Sequence, residues 1–224
     1  ALRLVGSEMC IRDSPKGVGI IEEDASKYFK TTSYPSREQD FNPGSYAISK
    51  KPIKISIKKN LTLSAIIFPT ISSSKDQSII AVNNFEIYIN SKGLSTIRVD
   101  KKSISIKEPL ELRSWYKIKV KISINGNVSI SQKILKYKDK KEITNKGKLI
   151  MNKDASGKVS LAAIISKGVA SNYFNGKIES PQITLDNKII GDWDLSSNTS
   201  STVVDSIVGP TLILKNFPTR AVTG

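Results

Sequence analysis

The side chains able to do chemistry are few, and most of them are carboxylates. Asp192 and Asp194 flank Trp193. On a strand, alternate residues share a face, so both carboxylates would lie together, opposite the indole. Such a pair could hold a calcium ion or sugar hydroxyls beside an aromatic. The plainer arrangement has Trp193 in the core and both aspartates in water. Glu22, Glu23 and Asp24 form a second acidic cluster, in a stretch that reads as a solvated, irregular lead-in. Trp115 and Tyr116 open a strand-like run, where the Trp is expected to pack between sheets. The sequons Asn60-Leu-Thr62 and Asn198-Thr-Ser200 are short patterns with no secretory signal beside them. Nothing here adds up to a catalytic constellation, and no catalytic, cofactor-binding or metal-ligating residue is assigned.

The missing residue types exclude more than the present ones suggest. The 224 residues include no His and one Cys. Without imidazole there is no Ser-His-Asp or Cys-His nucleophile system. Zinc sites of the Cys/His type and a disulfide framework are excluded too, and no redox role is expected for Cys10. The longest apolar runs, such as 161–165, fall far short of the ~20 residues of a spanning helix, so no membrane association is expected.

The chain is basic, with 35 Lys+Arg against 20 Asp+Glu and a net charge of +15. Residues 101–160 hold sixteen Lys/Arg and five Asp/Glu. A basic stretch can bind nucleic acid or another anionic surface. A nucleic-acid binder more often shows Arg for bidentate base contacts and interleaved aromatics for stacking. This stretch has one Arg, and its aromatics are Trp115, Tyr116 and Tyr137. Its Lys, Ile and Asn richness matches an AT-rich coding sequence, so a solvated face is expected rather than a nucleic-acid site.

The elements that must position these residues are strands. Ile or Val alternates at period two with Lys or Ser over 52–58, 103–107 and 117–124, the pattern of antiparallel sheets with one buried face. Further β-rich runs cover 61–68, 78–82, 85–89, 94–99, 128–135, 159–165, 177–185, 189–195 and 211–215. Turn signals separate them at Asn42-Pro-Gly44, Ser91-Lys-Gly93, Asn125-Gly126, Ala155-Ser-Gly157 and Asn175-Gly176. No window carries a sustained 3.6-residue stripe. The expected fold is therefore an all-β, antiparallel sandwich or jelly roll. Lys54, Lys117, Lys119 and Lys121 are read as outward charges that protect exposed sheet edges.

Residues 1–14 resemble a leader that recurs in proteins translated from shotgun sequencing reads, where adapter sequence is carried in frame. They lack the features of a signal peptide, and a cytoplasmic location is expected. The organisation read from the sequence is this leader, an irregular segment over 15–40, a sandwich over 41–215, and a linker over 216–224.

A set of motifs in order carries a family resemblance. Asp40-Phe-Asn-Pro-Gly-Ser-Tyr46 leads a strand, 61–69 reads LTLSAIIFP, and Ser114-Trp-Tyr116 begins a later one. Tyr173-Phe-Asn-Gly-Lys-Ile178 is similar to the strand motif near the end of laminin-G-like, concanavalin-type jelly rolls. Gly191-Asp-Trp-Asp194, Val204-Asp205, Gly209-Pro210 and the ending Pro218-Thr-Arg-Ala-Val-Thr-Gly224 follow. Together these resemble the N-terminal region of the large (β) subunit of N,N-dimethylformamidase and its relatives. The resemblance implies an amidohydrolase whose mononuclear iron, held by Tyr and Glu side chains, lies in a domain after the jelly roll. None of those ligands maps onto this sequence. It further implies a catalytically inert accessory domain, packed against its own catalytic domain, a small subunit and further large subunits. Arg220 is a candidate for pairing with a carboxylate of the next domain. The alternative is a free-standing carbohydrate-binding jelly-roll module. A nucleic-acid binder rests on charge alone.

Overall fold

The computed structural model describes residues 44–135, 141–150, 154–195, 203–204 and 206–216. Glu22, Glu23, Asp24, Cys10, Asn198 and Arg220 lie outside the described residues. Strands are numbered along the chain: β1 Tyr46–Ser49, β2 Ile53–Ile55, β3 Leu61–Pro69, β4 Gln77–Val82 and β5 Phe85–Ile89. Next come β6 Ser95–Val99, β7 Lys102–Ser105, β8 Tyr116–Ile122, β9 Asn127–Ile134 and β10 Ile143–Lys148. They are followed by β11 Ala155–Gly157, β12 Val159–Leu161, β13 Ile164–Ser166, β14 Val169–Ser171 and β15 Gly176–Leu185. The last four are β16 Lys188–Trp193, β17 Val203–Val204, β18 Ser206–Val208 and β19 Leu212–Lys215. Among the described residues there is no helix long and apolar enough to cross a membrane.

Two antiparallel sheets face each other. One has eight strands in the order β17-β19-β1-β12-β4-β5-β6-β7, the other seven in the order β10-β9-β8-β3-β15-β16-β18. Period-two patterning explains the layering: Leu61, Leu63, Ala65 and Ile67 of β3 are buried, as are Ile118, Val120 and Ile122 of β8, and these inward residues form one core. A buried polar tie also joins the sheets. Ser95 Oγ on β6 donates to Gln132 Oε1 on β9 at 2.8 Å, and Gln132 Nε2 donates to the Glu108 carbonyl. The amide is thereby satisfied inside the core, which is the condition for tolerating it there.

Several local expectations are corrected. The alternation over 52–58 yields only the short β2, because the chain turns after Ile55 to reach β3. The run over 159–165 breaks at Ala162, whose φ of 63° ends β12 and starts β13 on a new path. Ala155–Gly157, read as a turn, is β11, paired to β2. Asn175-Gly176 is not a hairpin tip but the entry to β15. Gly176 sits there at φ 151°, and a Cβ would lie 2.1 Å from the Phe68 carbonyl oxygen. Asn125-Gly126 does mark a hairpin, between β8 and β9, with Gly126 at φ 77°.

Candidate functional site

Trp193 is fully buried in the core and donates its indole N–H to the Pro210 carbonyl at 2.7 Å. The flanking carboxylates do not make a calcium cradle. Asp192 accepts from Gln182 Nε2 at 3.1 Å. Asp194 lies close enough to Glu179 to help raise its pKa, an effect owed first to burial and then to this like charge. Among the described residues, no group of three or more His, Cys, Asp or Glu side chains is placed to hold a metal ion. Asn60 is committed to loop closure. Its side-chain amide donates to Asp186 Oδ1, while its own oxygen accepts from the Ile124 amide.

Trp115 is buried, but not between the sheets. Strand alternation gives the core position to Tyr116, whose hydroxyl accepts from the Glu111 amide. Trp115 is turned to the other side, where it packs with Ile66 and Phe68 in a separate cluster. Its ring lies 5.2 Å from that of Phe68, and the Lys177 ammonium sits 5.4 Å from the Phe68 centroid. Lys117, Lys119 and Lys121 likewise do not guard an edge. They project from β8, third from the end of its sheet and paired on both sides. Lys54 is on a short two-stranded edge, 3.9 Å from Asp154.

The most concentrated polar chemistry is on the outer face of the eight-stranded sheet. In β5 and β6 the inward residues are Phe85, Ile87, Ile89, Ile97 and Val99. The residues between them, Glu86, Tyr88, Thr96 and Arg98, therefore face outward. Strand register aligns Ser160, Ala81, Glu86, Arg98 and Ser103 in one row. It aligns Ser78, Tyr88, Thr96 and Ser105 in the next. Arg98 is the hub. Its Nε donates to Glu86 Oε2 at 3.0 Å, and its Nη2 donates to the same oxygen. Its Nη1 reaches Asp76 Oδ2 at 3.4 Å, and the guanidinium carbon lies 4.3 Å from the centre of the Tyr88 ring.

Burial opposes the charge on Arg98, but the hydrogen bonds and charge of Glu86 outweigh it, and its pKa is raised. Burial also raises the pKa of the Tyr88 phenol, partly countered by Arg98. The cluster is graded from inside to outside. Glu86 is 2% exposed, whereas the side chains of Arg98 and Asp76 are 29% and 28% exposed. Glu86 Oε1 and Ser78 Oγ are buried with no hydrogen-bond partner. The long Arg98–Asp76 contact is thus the solvent-facing side, or mouth, of the cluster. A hydroxyl that displaced this contact would accept from Nη1 and donate to Oδ2.

A Tyr, a Glu and an Asp, all oxygen-bearing side chains, gather here. They converge on the Arg98 guanidinium, so the position of the cation is taken by a side chain and the set does not fit a metal ion. Sequence reasoning missed this cluster. Its one available signal was a charged residue at a single outward position of each of two otherwise uncharged strands, FEIYI and STIRV.

A concavity of about 280 Å³ lies at one end of the sandwich, lined by Pro69, Ile71, Gln77, Lys92, Pro109 and Leu112 among others. Ile71 and Leu112 are exposed there. Gln77 is structural: it bonds the Ile71 carbonyl and the Asn175 amide, tying the β3–β4 loop to the entry of β15.

These features define a jelly-roll β-sandwich, and comparison with solved structures agrees. A protein from Bacteroides ovatus, provisionally described as carbohydrate-binding, superposes with a TM-score of 0.57 at 11% identity. The match covers 80% of this chain, which spans about 60% of that protein's length. A heptameric SAP-like pentraxin from Limulus polyphemus overlaps with a TM-score of 0.46 at 13% identity, covering 76% of this chain and 88% of its own. The CBM40 of the IT-sialidase from Ruminococcus gnavus gives 0.46 at 15%, covering 63% and 92%. At 11% identity the Bacteroides ovatus likeness establishes the fold and nothing about ligands. No protein-family model matches the chain, and no curated protein matches it.

Proposed function

We propose that this chain is a non-catalytic, carbohydrate-binding module whose ligand seats at the Arg98–Asp76 mouth on the outer face of the eight-stranded sheet. The observation that carries the reading is the graded cluster itself. A fixed guanidinium and a half-exposed carboxylate stand side by side, with an unpartnered carboxylate oxygen beneath them. Sugar diols are recognised by such paired donors and acceptors, and a site whose polar groups are already oriented pays little in ordering on binding. The fold likeness to a protein provisionally described as carbohydrate-binding points the same way.

The test is a glycan array, with and without calcium, followed by calorimetry on wild type and Asp76→Asn. Calcium-independent binding of at least one oligosaccharide, weakened tenfold or more in Asp76→Asn without loss of fold, is expected. Binding that ignores Asp76, or an empty array, rejects the site.

A second reading follows the formamidase resemblance: a domain that packs against a catalytic neighbour, with assembly its only role. The end cleft favours it, because exposed Ile71 and Leu112 offer an apolar seat. Translating the gene beyond Gly224 separates the two. A following domain with Tyr and Glu iron ligands favours packing, and a stop codon favours the binding module.

A further inference from the structure

The outer face of the seven-stranded sheet carries its own pattern. Outward positions alternate along β8 as Lys117, Lys119 and Lys121, and Lys133 of β9 stands directly opposite Lys117. On β10, Gly147 faces inward, where a Cβ would meet the Ile104 side chain, so Lys146 and Lys148 face outward. All six are exposed except Lys119, which is half-exposed. None of them forms an ion pair among the described residues. Glu142 lies near this strip, where it accepts from Ser131 Oγ. Between the lysines the same face presents Thr62, Ser64, Ser129 and Thr144, aligned by register.

Stability does not call for this arrangement. Lysines directly opposite on neighbouring strands repel, at about 0.2–1 kcal/mol per pair. Edge protection accounts for Lys146 and Lys148 on the terminal strand β10, but not for the four lysines of the interior strands β8 and β9. Along β8 the lysines are about 6.7 Å apart; across the strands Lys117 meets Lys133, while Lys119, Lys121 and Lys146 each face a hydroxyl residue.

We infer that this face is a second binding surface, for an acidic polysaccharide bearing sulfate or carboxylate groups. It is independent of the Arg98 mouth, which lies on the other sheet. Charge complementarity selects a polyanion, and the details select among polyanions. The strip holds no Arg for bidentate base contacts and no exposed aromatic for base stacking, which disfavours nucleic acid. Rows of point charges with hydroxyls between them match a chain whose own charges alternate with hydroxyls.

The experiment titrates the full chain with dextran sulfate and with polygalacturonate, using neutral dextran as control. Saturable binding at about 50 mM salt is expected, weakening on the order of a hundredfold by about 200 mM, the dependence of four lysines each releasing a counterion. The quadruple variant Lys117→Gln, Lys119→Gln, Lys121→Gln, Lys133→Gln should lose at least tenfold in affinity with its melting temperature unchanged or raised. Lys54→Gln, on the small two-stranded sheet away from both sites, should bind as wild type. Should the quadruple variant not fold, Lys146→Gln with Lys148→Gln gives the same test with a smaller loss. No binding, or binding indifferent to these lysines, overturns the inference. So does single-stranded DNA displacing dextran sulfate at a lower concentration than dextran sulfate itself needs, or binding to anionic phospholipid vesicles without binding to either polysaccharide.

Discussion

Replacing Arg98 by Met removes the one positive charge that Glu86 touches among the described residues. Glu86 is 2% exposed, and both its hydrogen bonds from Arg98 go to Oε2. The substitution therefore leaves an ionised carboxylate buried and unpaired. Breaking a buried pair by removing one partner costs about 3–5 kcal/mol. The side chain of Arg98 is 29% exposed, so water can partly reach the vacated position, and the low end, about 3 kcal/mol, is expected. In a domain of this size that lowers Tm by roughly 6–12 °C. Glu86→Leu should cost less, about 1–2 kcal/mol, because Arg98 retains Asp76 and solvent. The double variant Arg98→Met, Glu86→Leu removes both charges and should fall within about 1 kcal/mol of wild type. Urea unfolding at neutral pH, comparing midpoints at constant slope, measures all four corners of the cycle. An Arg98→Met variant within about 0.5 kcal/mol of wild type would mean that Glu86 is solvated. A double variant no better than the single would mean that Arg98 acts by packing and not by neutralising Glu86. Either result refutes the buried, pre-ordered cluster on which the proposed site depends.

Other outcomes follow from the same structure. Gly176→Ala forces a Cβ against the Phe68 carbonyl at an unfavourable φ and should cost about 3 kcal/mol or prevent folding, read by thermal unfolding. Trp193→Ala should cost about 3–5 kcal/mol and Trp115→Ala distinctly less, since Trp115 packs only on the outer cluster; equal losses would return Trp115 to the core. Glu179 is held above its ordinary pKa, so its stabilising contribution is complete below the unfolded value and lost as pH rises through the folded one. Glu179→Gln should raise Tm by about 1–2 °C at neutral pH and not at pH 4. The Tyr88 phenol obeys the same sign at the alkaline end, and its ultraviolet titration should occur above pH 10, with stability falling as the pH passes that range.

The fold was legible in the sequence because its signal is local. Each half-buried strand alternates, and LTLSAIIFP or YKIKVKI declares its inward face without reference to partners. β10 was missed for the complementary reason. ITNKGK lies at a sheet edge with little inward apolar content, and its Gly147 is required by Ile104, a neighbour 43 residues away in sequence. The same distinction explains Trp115 and Tyr116. Sequence says that adjacent residues face opposite ways, but only the pairing of β8 with β3 and β9 decides which one enters the core. The Arg98 cluster was illegible because it is built across strands. Asp76, Glu86, Tyr88 and Arg98 come from three segments, and only the register of β4, β5 and β6 brings them together. The flanking Asp192 and Asp194 looked more like a site because they are close in sequence, yet Gln182 and Glu179 on the neighbouring strand determine what they do.

The central claim, that a carbohydrate seats at the Arg98–Asp76 mouth, is tested most directly by the side-chain N–H spectrum of arginine as the best oligosaccharide from the array is added. Arg98 and Arg113 are the described arginines, and they lie on different parts of the sandwich. A saturable shift of the Arg98 Nε–H resonance, with Arg113 unmoved and the effect abolished in Asp76→Asn, is the predicted result. A ligand that saturates the protein while leaving the Arg98 resonance in place would contradict it.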